Sequence, residues 1–218
     1  MTYQGLISSK FRSNGQVCIS ANRVFVHESI LKSVTAKLLK RIPKTVRGGS
    51  LWDTTGTVNF GPIYSPKGIE KIERHIADAV ANGAKIILGG KVDTSIGPNY
   101  FQPTVLIGGS SNMLFRREET FGPVIIFVPF FSEEQVLEIV NKSKMGLAGY
   151  FYTDDVDHVY RVSEALEVGM IDYRVGVISA TEQPFGGVKK NKLGRERSHH
   201  ALDKFVNVKA VTIGLSKL

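Results

Sequence analysis

The chain has 218 residues and a formal net charge of +8, with 42% apolar and 22% charged residues, a balance typical of a globular protein with a sizeable core. It contains no apolar run of about 18 residues, no secretory signal layout and only one cysteine, which predicts a cytoplasmic protein with no membrane span and no internal disulfide. The basic residues are scattered, and their one dense cluster, at 189–197, is typical of a solvated face. No nucleic-acid motif accompanies it, so we expect no nucleic-acid partner.

The single cysteine, Cys18, follows the Gly15-Gln16 pair and precedes an apolar stretch at 21–26 that predicts a strand. A lone thiol at a glycine-containing turn is a candidate nucleophile. The alternative is a small buried hydrophobe, which is the more common role of a lone cysteine. These residues by themselves leave both interpretations open.

Two helices with a long loop between them come next. A four-residue apolar repeat predicts the first helix over 28–42, ended by Pro43. Residues 44–64 are rich in glycine and threonine and predict a long loop of the kind that is often functional. Ser65-Pro66 begins the second helix, and Asn82-Gly83 ends it. Its predicted core side chains are Ile69, Ile72, Ile76 and Val80.

Short apolar runs then alternate with amphipathic helices. Strands are predicted at 84–88, 100–107, 124–128, 149–153, 169–173 and 205–213, and the run at 124–128 has the pattern of a strand buried on both faces. Helices are predicted after Ser132 and after Asp154-Asp155. The predicted core residues of the first are Val136, Leu137, Ile139 and Val140, and those of the second are Val156, Val159, Val162 and Leu166.

This alternation predicts one α/β domain, with a largely parallel sheet and flanking helices. There is no internal repeat and no linker rich enough in Pro, Gly and Ser to divide the chain. Walker, G-x-G-x-x-G, G-x-S-x-G and paired-histidine metal patterns are absent from the sequence, so we predict no metal site.

Four motifs in order, FRSNGQVC at 11–18, EETFGPV at 118–124, PFGGVK at 184–189 and LGRE at 193–196, resemble the C-terminal catalytic half of the aldehyde dehydrogenases. The resemblance covers essentially the whole chain and is closest to the succinate-semialdehyde branch. It implies a three-layer, Rossmann-like α/β catalytic domain over 1–204. It also implies a C-terminal strand over 205–218 that serves as an oligomerisation arm.

Family members are more than twice as long, and the half that is absent here is their dinucleotide-binding domain. The resemblance therefore implies NAD or NADP as cofactor of the complete enzyme and leaves open whether this chain binds either one. The family's general base and an oxyanion-hole asparagine also belong to the absent half. The implied partners are a semialdehyde that carries a carboxylate and further copies of the chain.

The resemblance assigns a role to six residues. Cys18 matches the nucleophile, whose thiolate attacks the aldehyde carbon. Arg12 and Ser179 match ligands of the substrate carboxylate, and Phe185 matches a wall of the aldehyde tunnel. The alternatives are a surface arginine, a loop hydroxyl and a core phenylalanine. The remaining two, Glu119 and Phe121, match contacts to the nicotinamide ribose and ring, and their alternative is a structural turn.

Several positions depart from the family pattern. The residues Asp172, Tyr173 and Arg174 stand where glycine, valine and asparagine are expected. Asn191-Lys192 replaces a Ser-Gly pair, Arg197 replaces a glycine and Phe60 replaces a glutamine. These departures leave two hypotheses open. The chain is either the catalytic portion of a succinate-semialdehyde-type enzyme, inactive or weakly active by itself, or a catalytically inert binding or oligomer-assembly module.

Overall fold

The structure of the chain, a computed structural model, describes residues 2–49, 52, 55–56, 58–191 and 194–215. Its helices are α1 (Thr2–Phe11), α2 (Glu28–Thr45), α3 (Pro66–Ala81), α4 (Glu133–Asn141) and α5 (Val156–Ala165). Its strands are β1 (Val24–His27), β2 (Lys85–Leu88), β3 (Thr104–Ile107), β4 (Val124–Phe130), β5 (Met145–Gly146), β6 (Ala148–Phe151), β7 (Met170–Tyr173) and β8 (Val188–Lys189). Short 3₁₀ turns occupy Arg12–Gly15, Leu114–Arg116 and His199–Lys204.

The strands of the largest sheet have the order β1-β4-β3-β2. Strands β1 and β3 run parallel to β4, and β2 is an antiparallel edge strand. A second parallel pair joins β6 to β7, and β5 pairs with β8 in antiparallel fashion. The predicted α/β class with a mostly parallel sheet is confirmed. The parallel strands are nevertheless divided between two sheets. Within the described ranges, β1 and β6 each have a strand neighbour on one side only.

The central strand β4 explains the three-layer arrangement. Its residues 124–128 are all buried, as the continuous apolar run predicted. Alternate side chains of β4 join opposite cores. Val124 and Ile126 pack with α3 on one face, whereas Ile125 and Phe127 pack with α1 and α2 on the other face.

Helix α3 begins as predicted, because the Ser65 hydroxyl accepts a hydrogen bond from the Gly68 amide and Pro66 occupies the first turn. Ile72 is fully buried between the helix and the sheet. The prediction that Val80 belongs to the core was wrong. Val80 is 45% exposed, and Ala79 is the buried residue of that turn.

Helix α2 continues past Pro43 to Thr45, so the predicted end was also wrong. Proline disrupts a helix interior by removing one amide donor and by steric contact with the preceding turn. Here only the last turn is affected, and the Val46 amide donates to the Ile42 carbonyl at 2.8 Å beyond it. The Thr45 hydroxyl also donates to the Arg41 carbonyl, at 2.9 Å.

The apolar stripe of α4 is not buried. The four side chains predicted to lie in the core are only half-buried, because α4 faces an open cleft instead of a packed neighbour. In α5 only Val162 is buried, and Val156 is exposed. The prediction that Val156 belongs to the core was therefore wrong, and periodicity identified the apolar stripe of α4 without showing what covers it.

Three predictions of strand position need correction. Strand β1 begins at Val24 rather than at residue 21, so Cys18 lies in a turn well before the strand. The stretch at 100–107 forms a strand only from Thr104. The predicted strand at 205–213 is absent, and residues 206–215 form neither helix nor strand, because their backbone has no neighbouring strand in the isolated chain. Residues 216–218 of the predicted arm lie outside the described ranges.

The burial of α3 predicts a sharp contrast between two of its residues. We expect Ile72→Ala to lower the free energy of unfolding by about 3 kcal/mol, because it leaves a cavity between α3 and the sheet. Val80→Ala, one residue before the end of α3, should cost less than about 1 kcal/mol. Chemical denaturation measures both values, and equal losses would contradict this orientation of α3.

Candidate active site

The turn that precedes Cys18 has an uncommon backbone. Ser13, Asn14 and Gly15 have φ values of 49°, 58° and 71°, in the left-handed region. A Cβ atom at Gly15 would lie 2.3 Å from the carbonyl oxygen of Gly122, so only glycine fits where this turn meets the 118–122 segment. Cys18 follows in a second turn and is exposed.

Side chains on either side of Gly15 attach the turn to the end of the long loop. The Asn14 amide donates to the carbonyl oxygens of Gly61 and Pro62. Gln16 donates to the Pro62 carbonyl at 3.4 Å and accepts from the Tyr64 amide at 2.9 Å. Backbone strain of this kind persists only where surrounding contacts hold it, and these hydrogen bonds supply them.

Asn22, which the sequence analysis did not single out, joins the Cys18 turn to the segment that carries Glu119. Its amide donates to the carbonyl oxygens of Phe115, at 2.9 Å, and Glu118, at 3.3 Å. Its side-chain oxygen accepts from the Thr120 amide at 2.9 Å. One side chain therefore makes three hydrogen bonds that position the two candidate regions relative to each other.

A buried histidine of α3 holds the same segment from the other side. The His75 ring lies 3.1 Å from the Thr120 hydroxyl and 3.2 Å from the Glu118 carboxylate, which also binds Arg74 at 2.6 Å. Burial lowers the pKa of His75, and the hydrogen bonds from Arg74 and His75 lower the pKa of Glu118. With Glu118 and Thr120 held, Glu119 between them is exposed.

Glu119 lies in a basic neighbourhood. Partial burial raises the pKa of its carboxyl group, and the charges of Lys71 and Lys10 oppose that shift. Lys10 is 1% exposed, and burial lowers its pKa to about 8. A buried lysine on α1 was not predicted, because a single lysine among mixed polar and apolar residues gives no sequence signal of its burial.

Phe121 follows in the same segment with φ of 53° and 40% of its side chain exposed. Positive φ is a genuine outlier for a bulky residue, and such outliers cluster at ligand-binding sites. An exposed carboxylate and an exposed ring thus lie two residues apart, on a segment held by His75 and Asn22.

The structure brings some of the predicted site residues together. Cys18 and Glu119 line one cleft of about 920 Å³ that runs between β1 and β6. Arg12, which is exposed, lines a separate small cavity beside Val17 and Ile19, on the flanks of the Cys18 turn.

The other two predicted substrate residues, Ser179 and Phe185, belong to the segment at 170–185. Phe185 packs on a small core formed by Ile19, Met170 and Ile178. Ser179 is half-buried next to Ile178. Arg12 and Phe185 therefore both lie beside Ile19, one residue after Cys18.

The departures from the family pattern have structural consequences. Arg174 and Arg197 replace asparagine and glycine at φ values of 59° and 58°, a region that those smaller residues tolerate better. Arg174 donates to the Thr153 carbonyl, and Arg197 lies over the Phe185 ring, 5.0 Å from its centroid. Phe60 is buried in the core that includes α2. Lys192 and Leu193 lie outside the described residues.

No described helix has the length and apolarity needed to cross a membrane. Within the same residues, no three His, Cys, Asp or Glu side chains form a group that could hold a metal ion.

Comparison with known proteins decides the family. The aldehyde dehydrogenase family profile matches residues 1–211. The chain belongs to the aldehyde dehydrogenase family. Among its relatives, a succinate-semialdehyde dehydrogenase [NADP(+)] of Schizosaccharomyces pombe is 41% identical over 95% of this chain. The mitochondrial succinate-semialdehyde dehydrogenase of Rattus norvegicus is 44% identical over 96% of it.

A solved structure agrees with this assignment. The crystal structure of succinate-semialdehyde dehydrogenase from Burkholderia pseudomallei superposes with a TM-score of 0.88 at 42% identity, over 93% of this chain and 41% of that one. The chain spans only 41% and 40% of the lengths of the two curated relatives. The chain therefore corresponds to less than half of the length of each of these relatives.

The burial of Lys10 predicts a pH-dependent effect on stability. Its folded pKa of about 8 lies below the ordinary value of 10.5, so folding penalises the charged amine most strongly below pH 8. That penalty, about 3 kcal/mol, disappears as the pH rises from 8 to 10.5. We therefore expect Lys10→Met to raise the free energy of unfolding at pH 7 by up to about 3 kcal/mol, with the gain lost by pH 10.5.

Denaturation at several pH values measures this difference. Lys44→Met, at an exposed position on α2, is the matched control and should change stability little at any pH. A Lys10→Met gain that stays constant between pH 7 and 10.5 would show that desolvation of the amine is not its cause.

Proposed function

We propose that this chain supplies the nucleophile, and part of the substrate site, for oxidation of a semialdehyde that carries a carboxylate. The observation that carries this proposal is the geometry of Cys18, whose exposed thiol lies on a turn attached to the Glu119 segment and to the 61–64 loop. A structural cysteine needs burial, whereas a nucleophile needs access and a fixed position. The names of the relatives support succinate semialdehyde as the substrate.

The chemistry of this chain begins with the Cys18 thiolate, which attacks the aldehyde carbon to form a thiohemiacetal. A backbone amide at the cysteine stabilises the developing oxyanion. NAD or NADP, when bound, accepts the hydride whose departure converts the thiohemiacetal to a thioester. Water then hydrolyses the thioester and releases the carboxylate and the free thiol.

Two side chains fit a bound nicotinamide nucleotide. Glu119 presents an exposed carboxylate that can accept hydrogen bonds from ribose hydroxyls, and Phe121 presents an exposed ring that can stack on a planar group. The preference for NAD or NADP stays open. The S. pombe relative is an NADP(+) enzyme by name, which supports either cofactor for the complete enzyme.

Arg12 is the proposed anchor for the far carboxylate of the substrate, because a guanidinium can donate two parallel hydrogen bonds to it. Its position beside Val17 and Ile19 supports this role. Ser179 adds a hydroxyl donor, and Phe185 forms an apolar wall. We also propose a cytoplasmic location, since an exposed reactive thiol such as Cys18 persists in a reducing compartment.

The first test is acylation of the thiol. We expect p-nitrophenyl acetate to transfer one acetyl group to Cys18, as detected by mass spectrometry of the purified chain. Cys18→Ser removes the thiolate at nearly constant shape and should abolish acetylation at that peptide. Equal acetylation of Cys18→Ser at that peptide would contradict the proposal.

The second test concerns Arg12. Succinate semialdehyde should protect Cys18 from alkylation by iodoacetamide, since the reversible thiohemiacetal consumes the free thiol. Arg12→Gln should raise the concentration needed for half-protection about tenfold, the effect of losing one charge-assisted hydrogen bond. Arg41→Gln, at an exposed position on α2, is the control and should protect like the unmodified chain. Identical protection by both variants would exclude Arg12 as the anchor.

A second role is favoured by the C-terminal segment. Residues 206–215 are exposed without secondary structure, and they include Val208 at 100% exposure and Ile213 at 79%. Exposed apolar residues in a stretch of strand-like sequence favour pairing with a sheet edge. We propose that this segment joins copies of the chain into a homo-oligomer, and this would be the chain's whole role if Cys18 proves inert.

Sedimentation velocity over a range of concentrations tests the oligomer. We expect self-association of the unmodified chain, and its loss when Val211 is changed to Asp, because a charge would be buried at the new strand pair. Lys209→Gln is a control in the same segment and should leave association unchanged. A chain that stays monomeric at every concentration would overturn this role.

A further inference from the structure

Arg197 has a backbone conformation that few arginines adopt. Its φ of 58° lies in the left-handed region, where a Cβ atom is crowded, and the residue stands where the family pattern has glycine. Strain of this kind persists only where the surrounding structure holds it, and it clusters at functional sites. Because glycine would adopt the same conformation without that cost, the arginine side chain itself points to a function.

Backbone hydrogen bonds on both sides hold Arg197 against the loop that carries Phe185. The preceding residue, Glu196, exchanges two hydrogen bonds of 2.7 Å with Phe185. On the other side, the Ser198 amide donates to the Thr181 carbonyl at 3.1 Å. The strained residue is therefore fixed to the same loop as one of the proposed substrate residues.

The guanidinium of Arg197 lies over the Phe185 ring, with its central carbon 5.0 Å from the ring centroid. The same ring packs on the small core that contains Ile19, the residue after Cys18. Phe185 thus contacts both the cation and the core next to the proposed nucleophile.

The charge of Arg197 has no counter-charge in the part of the chain that the structure describes. Its exposed guanidinium forms no ion pair with a carboxylate there. Stacking on a ring uses the flat face of a guanidinium and stabilises the cation without neutralising it. The N–H donors at the edge stay available, and their geometry suits a planar carboxylate.

We propose that Arg197 is a second carboxylate anchor, through which the Cys18 site accepts semialdehydes longer than succinate semialdehyde. This inference rests on the proposed function, since it takes Cys18 as the nucleophile. Arg12 lines a cavity directly beside Ile19. Arg197 contacts that region through the Phe185 ring instead. A substrate that binds Arg197 therefore needs a longer body, whose methylene groups gain from contact with the ring.

Protection of Cys18 from iodoacetamide tests this anchor. 6-Oxohexanoate carries a distant carboxylate, hexanal has the same length without the charge, and succinate semialdehyde is the short acid. We expect 6-oxohexanoate to protect the unmodified chain at a concentration at least tenfold lower than hexanal does. Arg197→Met should raise the concentration of 6-oxohexanoate needed for half-protection about tenfold, because a charge-assisted contact is lost. The values for hexanal and succinate semialdehyde should stay within about twofold.

Three further variants show whether the charge is responsible. Arg197→Lys keeps the charge and should need less 6-oxohexanoate than Arg197→Met. Arg197→Gly also relieves the backbone strain, so it should lose protection like Arg197→Met without unfolding at a lower denaturant concentration. Arg41→Met, at an exposed position on α2, is the matched control and should behave like the unmodified chain. Variants of Arg197 that leave protection by 6-oxohexanoate unchanged, or weaken protection by hexanal equally, would overturn the proposal.

A second measurement separates this inference from the proposed function. Adipate, a dicarboxylate without an aldehyde, is titrated calorimetrically into the Cys18→Ser chain. We expect saturable binding, and binding about tenfold weaker when Arg197→Met is added, whether or not the thiol is reactive. If no aldehyde protects Cys18 in the unmodified chain, the proposed function fails, and the adipate titration still decides the role of Arg197. Equal adipate binding with and without Arg197 would exclude it as an anchor.

Discussion

The contact between the turn before Cys18 and the 118–122 segment is the constraint on which the rest of the site depends. Gly15 approaches the Gly122 carbonyl so closely that no side chain fits between them. Cys18 and Glu119 both line one cleft, although about a hundred residues separate them in the chain. Asn22 and His75 then hold the segment with hydrogen bonds whose donors and acceptors are largely shielded from water, which strengthens each of them.

Around this contact the protein carries an unusual amount of partly buried positive charge. Lys10 is buried, and Arg23 and Arg116 line the cleft. Each is costly, because desolvation favours the neutral form of a cation and no carboxylate makes an ion pair with it among the described residues.

Much of the fold could be predicted where the signal is local. Ser65-Pro66 begins a helix because a hydroxyl caps its first amides, and the run at 124–128 is buried because a central strand has cores on both faces. The six candidate residues came from the motifs of the aldehyde dehydrogenase family. Their chemical roles stay proposals, but the structure does place Cys18 and Glu119 in one cleft. Asn22, His75 and Lys10 could not be found this way, because their importance lies in contacts between distant segments.

The sequence by itself determined the α/β class, the family and the identity of the apolar helix faces, because these depend on residue type and on spacing along the chain. Only the tertiary structure decided what each face meets. It placed the stripe of α4 at an open cleft and left the segment at 206–215 without a strand partner. Burial and pairing depend on which distant segments pack together, and periodicity carries no information about that choice.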